Sequence, residues 1–89
     1  MRYQALGTSG IDVSAVGVGT WAMAGNKWGP SDDRESIRAI QLAVDVGASL
    51  FDTVDVFGEG HAEELLGEAL RGRRHAVKLV TKGGVDFYR

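Results

Sequence analysis

The sequence predicts an α/β fold, a parallel sheet covered by helices, and three observations predict it. Short β-branched stretches alternate with two amphipathic helical stretches, each helical stretch is followed by a glycine (Gly47, Gly72), and two apolar runs close on lone charges at Asp52 and Lys82. Strand, helix, strand, helix, strand in that order calls for parallel strands joined by right-handed crossovers.

The elements follow in order. Arg2 to Leu6 and Ile11 to Val13 flank Gly7-Thr8-Ser9-Gly10, so residues 2–13 read as a β-hairpin whose loop glycines can take positive φ. Ser14 to Thr20 reads as a short strand, in which Gly17 and Gly19 let another backbone or a ligand come close. Gly25, Asn26, Gly29 and Pro30 then mark a loop that carries Trp28. A helix starts after Ser31 or Asp32, with Glu35 at capping-box spacing from Asp32, and Ile37, Ile40, Ala43 and Val44 form its apolar stripe. Ala48 to Val54 reads as a parallel strand buried on both faces. A Gly58-Glu59-Gly60 loop leads to a second helix, His61 to Leu70, with Leu65, Leu66, Ala69 and Leu70 on one stripe. Ala76 to Thr81 reads as the last strand, so residues 14–82 form a βαβαβ run behind the hairpin, all in one segment.

Composition narrows the function classes. With 44% hydrophobic and 25% charged residues, the 89-residue chain belongs among globular rather than disordered sequences. A chain this short buries only roughly 60 to 65% of its unfolded surface, so its stability is expected to be marginal without a partner. The absence of cysteine excludes disulfides and thiolate metal sites and fits a reducing compartment, with cytoplasm the expectation. A net charge of −2, with Arg71, Arg73 and Arg74 the only basic run, gives no field for nucleic acid. No window approaches the apolar length of a membrane span, and no membrane partner is expected.

Chemistry is expected where the strands end, because ligands gather at the carboxyl ends of parallel strands. Asp52 and Lys82 each close an otherwise apolar strand there, and adjacent strands would bring them together as a buried ion pair. Such a pair is weak evidence for stability and better evidence for a site, although a structural salt bridge satisfies the same pattern. Gly17-Val18-Gly19-Thr20-Trp21-Ala22 formally matches G-x-G-x-x-A, but a dinucleotide fingerprint needs a helix to open at once, and here breakers intervene. Trp21 and Trp28 either line an apolar pocket above the sheet or cap the core beneath the loop. His61 and His75 lack metal-ligand companions at usable spacing and read as structural.

Several of these stretches, taken together, resemble the aldo-keto reductase family. They are Leu6-Gly7, Val16-Gly17-Val18-Gly19-Thr20-Trp21, Ala48-Ser49-Leu50-Phe51-Asp52-Thr53, Glu63-Glu64-Leu65-Leu66-Gly67 and Thr81-Lys82, and the run from Phe51 to Leu70 is similar to the bacterial, potassium-channel-subunit-like branch. The resemblance implies the N-terminal third of a (β/α)8 TIM barrel whose amino end is plugged by the hairpin. It also implies reduction of a small carbonyl substrate with hydride from NADPH, and protonation by a tyrosine that a lysine and an aspartate tune. By position the aspartate is Asp52 and the lysine Lys82, while Gly19, Thr20, Trp21 and Asp52 would border the cofactor and Trp21 and Trp28 the substrate. The tyrosine position holds Phe57, which keeps the ring and lacks the hydroxyl. The family's histidine on the next strand and its late phosphate-gripping loops have no counterpart in these residues. The resemblance therefore implies a truncated oxidoreductase, inactive by itself and poor in cofactor affinity. Its alternative is a non-catalytic fragment that self-associates, or binds a complementing barrel fragment, through open sheet edges.

Overall fold

The structure is a computed structural model and describes residues 1–24, 32–54 and 60–82. β1 (Tyr3–Ala5) and β2 (Asp12–Ser14) pair antiparallel, and the Leu6 N–H donates to the Ile11 carbonyl at 2.8 Å. Gly7 and Gly10 take the left-handed φ values, 57° and 77°, that the loop between them demands. Two serines fix this hairpin to the rest of the chain: the Ser14 N–H donates to Ser49 Oγ at 2.9 Å, and the Ser49 N–H donates to Ser14 Oγ at 2.8 Å. Both serines are buried, so each hydroxyl accepts from a backbone donor that would otherwise be stranded. The Tyr3 hydroxyl adds a third tie by donating to the Gly47 carbonyl at 2.7 Å.

A second sheet has the order β3 (Val18–Gly19), β4 (Leu50–Asp52), β5 (Lys78–Val80), with both pairings parallel. Its register sets Gly19 beside Asp52 and Asp52 beside Val80. α1 (Asp33–Asp45) links β3 to β4, and α2 (His61–Ala69) links β4 to β5. Asp32 caps α1, its carboxylate accepting from the Arg34 N–H at 2.9 Å and the Glu35 N–H at 3.5 Å. Removing that acceptor in Asp32→Ala should cost about 1 kcal/mol. A thermal melt checks this as a fall of about 4 to 8 °C in midpoint. Gly47, at φ 100°, stops α1, and a Cβ there would come within 2.7 Å of the Tyr3 hydroxyl.

The core is Ile40 from α1, Leu66, Ala69 and Leu70 around α2, Phe51 from β4, and Val77 immediately before β5. Both helices lie on the Phe51 side, which corrects the expectation that residues 48–54 are covered on both faces. Phe51 is fully buried, while its neighbours Leu50 and Asp52 are half-buried and Lys78 and Val80 are exposed. A strand turns alternate residues to opposite faces, so one sheet face is packed and the other is open. Strand limits also differ from expectation, β4 among them, which is confined to Leu50–Asp52 within 48–54. Ser14 ends β2, which leaves Val18–Gly19 as the strand within 14–20, and a 3₁₀ turn at Arg74–Ala76 delays the last strand to Lys78. The Arg74 guanidinium holds that turn by donating to the Val77 carbonyl at 3.0 Å. Among the described residues no helix is long and apolar enough to cross a membrane.

Candidate active site

Asp52 stands at the carboxyl end of β4, and its register partner is Val80. Lys82 lies two residues beyond Val80, so the period of a strand returns it to the face that Asp52 occupies. The two side chains meet there, with Lys82 Nζ donating to Asp52 Oδ1 at 2.6 Å and to the Thr53 carbonyl at 3.3 Å. They are not buried as expected. Lys82 is 51% and Asp52 49% exposed, because the pair stands on the open face of the sheet. An ion pair that wet contributes roughly 0 to 1 kcal/mol to stability, so its geometry matters more than its energy. It holds an ammonium at the rim, carried on a carboxylate and a carbonyl.

Thr20, at the end of β3, fixes that carboxylate from behind. Its N–H donates to the Asp52 carbonyl at 3.2 Å and its hydroxyl to the same oxygen at 3.0 Å. Thr20 is only 1% exposed, so it acts on the rim through the Asp52 backbone. Sequence reading missed this strap, although a threonine closing a strand of glycine and valine was its available signal. Gly19 sits beside Asp52, and a Cβ built on it would meet nothing within 4 Å among the described residues, which leaves space there beside the carboxylate. Gly17, in contrast, lies against β4, where a Cβ would come within 3.3 Å of the Leu50 carbonyl. Trp21 follows Thr20 at the start of a 3₁₀ turn and is 43% exposed. Trp28 and Phe57 lie outside the described residues.

His61 opens α2 and its Nε2 lies 2.9 Å from Oδ1 of Asp33, the first residue of α1, so it ties together the helix ends that face the rim. Among the described residues no cluster of histidine, aspartate and glutamate could hold a metal ion. The arrangement can therefore present a positive charge and a carboxylate to a polar ligand beside an aromatic ring, with open space at Gly19.

The family model for the aldo/keto reductase family matches residues 15–88. The aldo-keto reductase YhdN of Bacillus subtilis is 40% identical over 98% of the chain, which covers 27% of that protein. Among solved structures, an aldo-keto reductase from Bacillus halodurans in its holo form superposes with a TM-score of 0.85 at 32% identity, over 98% of the chain and 27% of its own. An aldo-keto reductase from Klebsiella pneumoniae in complex with NADPH gives 0.72 at 35% identity, over 81% of the chain and 24% of its own. The chain thus spans about a quarter of the length of the relatives it matches.

Proposed function

We propose, because this chain belongs to the aldo/keto reductase family, that the Asp52–Lys82 rim is one wall of a site that reduces aldehydes and ketones with NADPH. The observation that carries this reading is the 2.6 Å contact between those side chains at the carboxyl tips of two paired parallel strands. The residues present fit the nicotinamide end of such a cofactor. Gly19 leaves room beside the sheet, Asp52 offers an acceptor for a hydroxyl, and Trp21 offers a flat apolar face. NADPH, when bound, supplies the hydride that reduces the carbonyl carbon. The chain's own share is electrostatic: Lys82, held by Asp52 and the Thr53 carbonyl, stabilises negative charge that develops on the substrate oxygen. Thr20 keeps Asp52 in place through the backbone, and Trp28 joins Trp21 in bordering the substrate.

Phe57 occupies the position where the family's proton donor is expected, and a benzyl ring has no proton to give. The purified chain should therefore show no NADPH-dependent reduction of an aromatic aldehyde above background, followed as loss of NADPH absorbance. Phe57→Tyr in the chain alone should not rescue it, since these strands are a fraction of a barrel. Turnover by the unmodified chain that Lys82→Ala abolishes would overturn the inactivity. A second reading, pairing with another polypeptide, is favoured by the sheet order, which leaves β3 and β5 each hydrogen-bonded on one side only among the described residues.

A further inference from the structure

Lys82 reaches Asp52 from a strand tip that lies past the last backbone bond on that side of the sheet. That bond runs from the Thr53 N–H to the Val80 carbonyl at 2.8 Å. Beyond it, among the described residues, Thr81 and Lys82 are tied to their neighbours through side chains alone. A lysine ammonium rides on a flexible four-carbon stem, so what it can reach depends on where its Cα is anchored. Whatever fixes the tip therefore fixes the charge.

Successive strand residues point to opposite faces, which turns Thr81 toward the helices while Lys82 takes the open side. There the Thr81 hydroxyl donates to Glu63 Oε2 at 3.4 Å. Glu63 lies in the first turn of α2, two residues after His61, whose Nε2 stands 2.9 Å from Asp33 Oδ1 at the start of α1. The turn that carries Glu63 is thus itself moored to α1. Arg71 and Arg74 share the groove between α2 and β5 with Glu63, but both are engaged elsewhere. Arg71 pairs with Glu68 at 2.6 Å and Arg74 donates to the Val77 carbonyl at 3.0 Å. Among the described residues the Glu63 carboxylate is left to Thr81. We infer that Glu63 is a positioning residue for Lys82: through the Thr81 hydroxyl it holds the tip of β5 toward α2, so that the ammonium on the other face meets Asp52 and the Thr53 carbonyl. The inference deepens the proposed function and rests on it for the consequence in the reaction, while the placement of Lys82 can be read without any turnover. The bond is long, so its removal should change the occupancy of the ion pair about threefold rather than abolish it.

The test takes the isotope-labelled 89-residue chain and reads by NMR the exchange of the Lys82 ammonium protons with water, with Asp52→Asn as the reference for a released ammonium. Thr81→Val and Glu63→Ala should each speed that exchange about threefold, and the double variant no further, because both remove the same bond. Thr81→Ser keeps a hydroxyl and Glu63→Gln keeps an acceptor oxygen, so both should match the unmodified chain. A contact that serves only stability would shift the melting midpoint and spare the ammonium. Exchange that ignores Thr81→Val and Glu63→Ala would overturn the inference, and so would Glu63→Gln acting as strongly as Glu63→Ala, which would assign the effect to charge. In a whole barrel, with this chain carrying Phe57→Tyr in place of the matched first quarter of the 40%-identical relative, Thr81→Val should lower kcat about threefold and leave KM unchanged. If Lys82→Met slows that barrel and Thr81→Val does not, Glu63 has no part in the reaction and the inference fails. If Lys82→Met costs nothing, it is the proposed chemistry of the rim that fails, and the ammonium exchange still decides whether Glu63 places Lys82.

Discussion

Phe51→Ala should abolish cooperative folding of the chain at room temperature. Phe51 is fully buried at the centre of β4 and shares one cluster with Ile40, Leu66, Ala69, Leu70 and Val77, drawn from both helices, the end of α2 and the residue before β5. Truncating such a ring costs about 3 to 5 kcal/mol, the lost transfer energy plus the cavity left behind. A small domain holds about 5 to 15 kcal/mol in all, and this one packs only a single face of its sheet, which puts it at the low end. Far-UV circular dichroism with urea titration reads the outcome. Val80→Ala, on the open face and 38% exposed, serves as the contrast and should change stability by no more than about 0.5 kcal/mol. Equal losses from both variants would mean that the packed and open faces have been assigned wrongly.

Phe57→Tyr has the largest expected effect on chemistry, and it should appear only in a complete barrel. If the chain replaces the matched first quarter of the 40%-identical relative, the chimera supplies the strands and loops that these residues lack. On the proposed reading Phe57 leaves it short of a proton donor, and its kcat for an aromatic aldehyde should rise about 10²- to 10⁴-fold on Phe57→Tyr. Lys82→Met in that background should take most of the gain away, because the phenol loses the cation that makes it acidic enough to donate. A chimera that turns over equally well with phenylalanine and tyrosine would show that position 57 is not the donor. One that keeps its rate after Lys82→Met would remove the rim from the chemistry.

Much of the fold was legible because its signals are local. The stripe Ile37, Ile40, Ala43, Val44, the Asp32 cap and the Gly47 stop lie within one helix, and each answers to geometry that neighbouring residues dictate. The strands were less so, because their ends depend on what they meet. Ser14 belongs to the hairpin on account of Tyr3, and Ala76 to a turn that Arg74 braces. The ion pair followed from topology alone, since two charges closing adjacent parallel strands must share a rim. Its exposure did not follow, because a run of apolar residues in a strand says nothing about which other elements are there to cover each side. The Thr20 strap and the His61–Asp33 tie were invisible for a related reason: both join residues about 30 positions apart whose pairing has no period to betray it.

The reciprocal bonds between Ser14 and Ser49 lie at the foot of β4, and the ammonium and carboxylate lie at its head. The bonds that seat the strand and the charges proposed to act on substrate thus stand at opposite poles of it. A lineage can rewrite the head, and the foot still registers the chain in its place. Loss of either serine hydroxyl would work the other way, leaving every reactive group present and the platform beneath them loose.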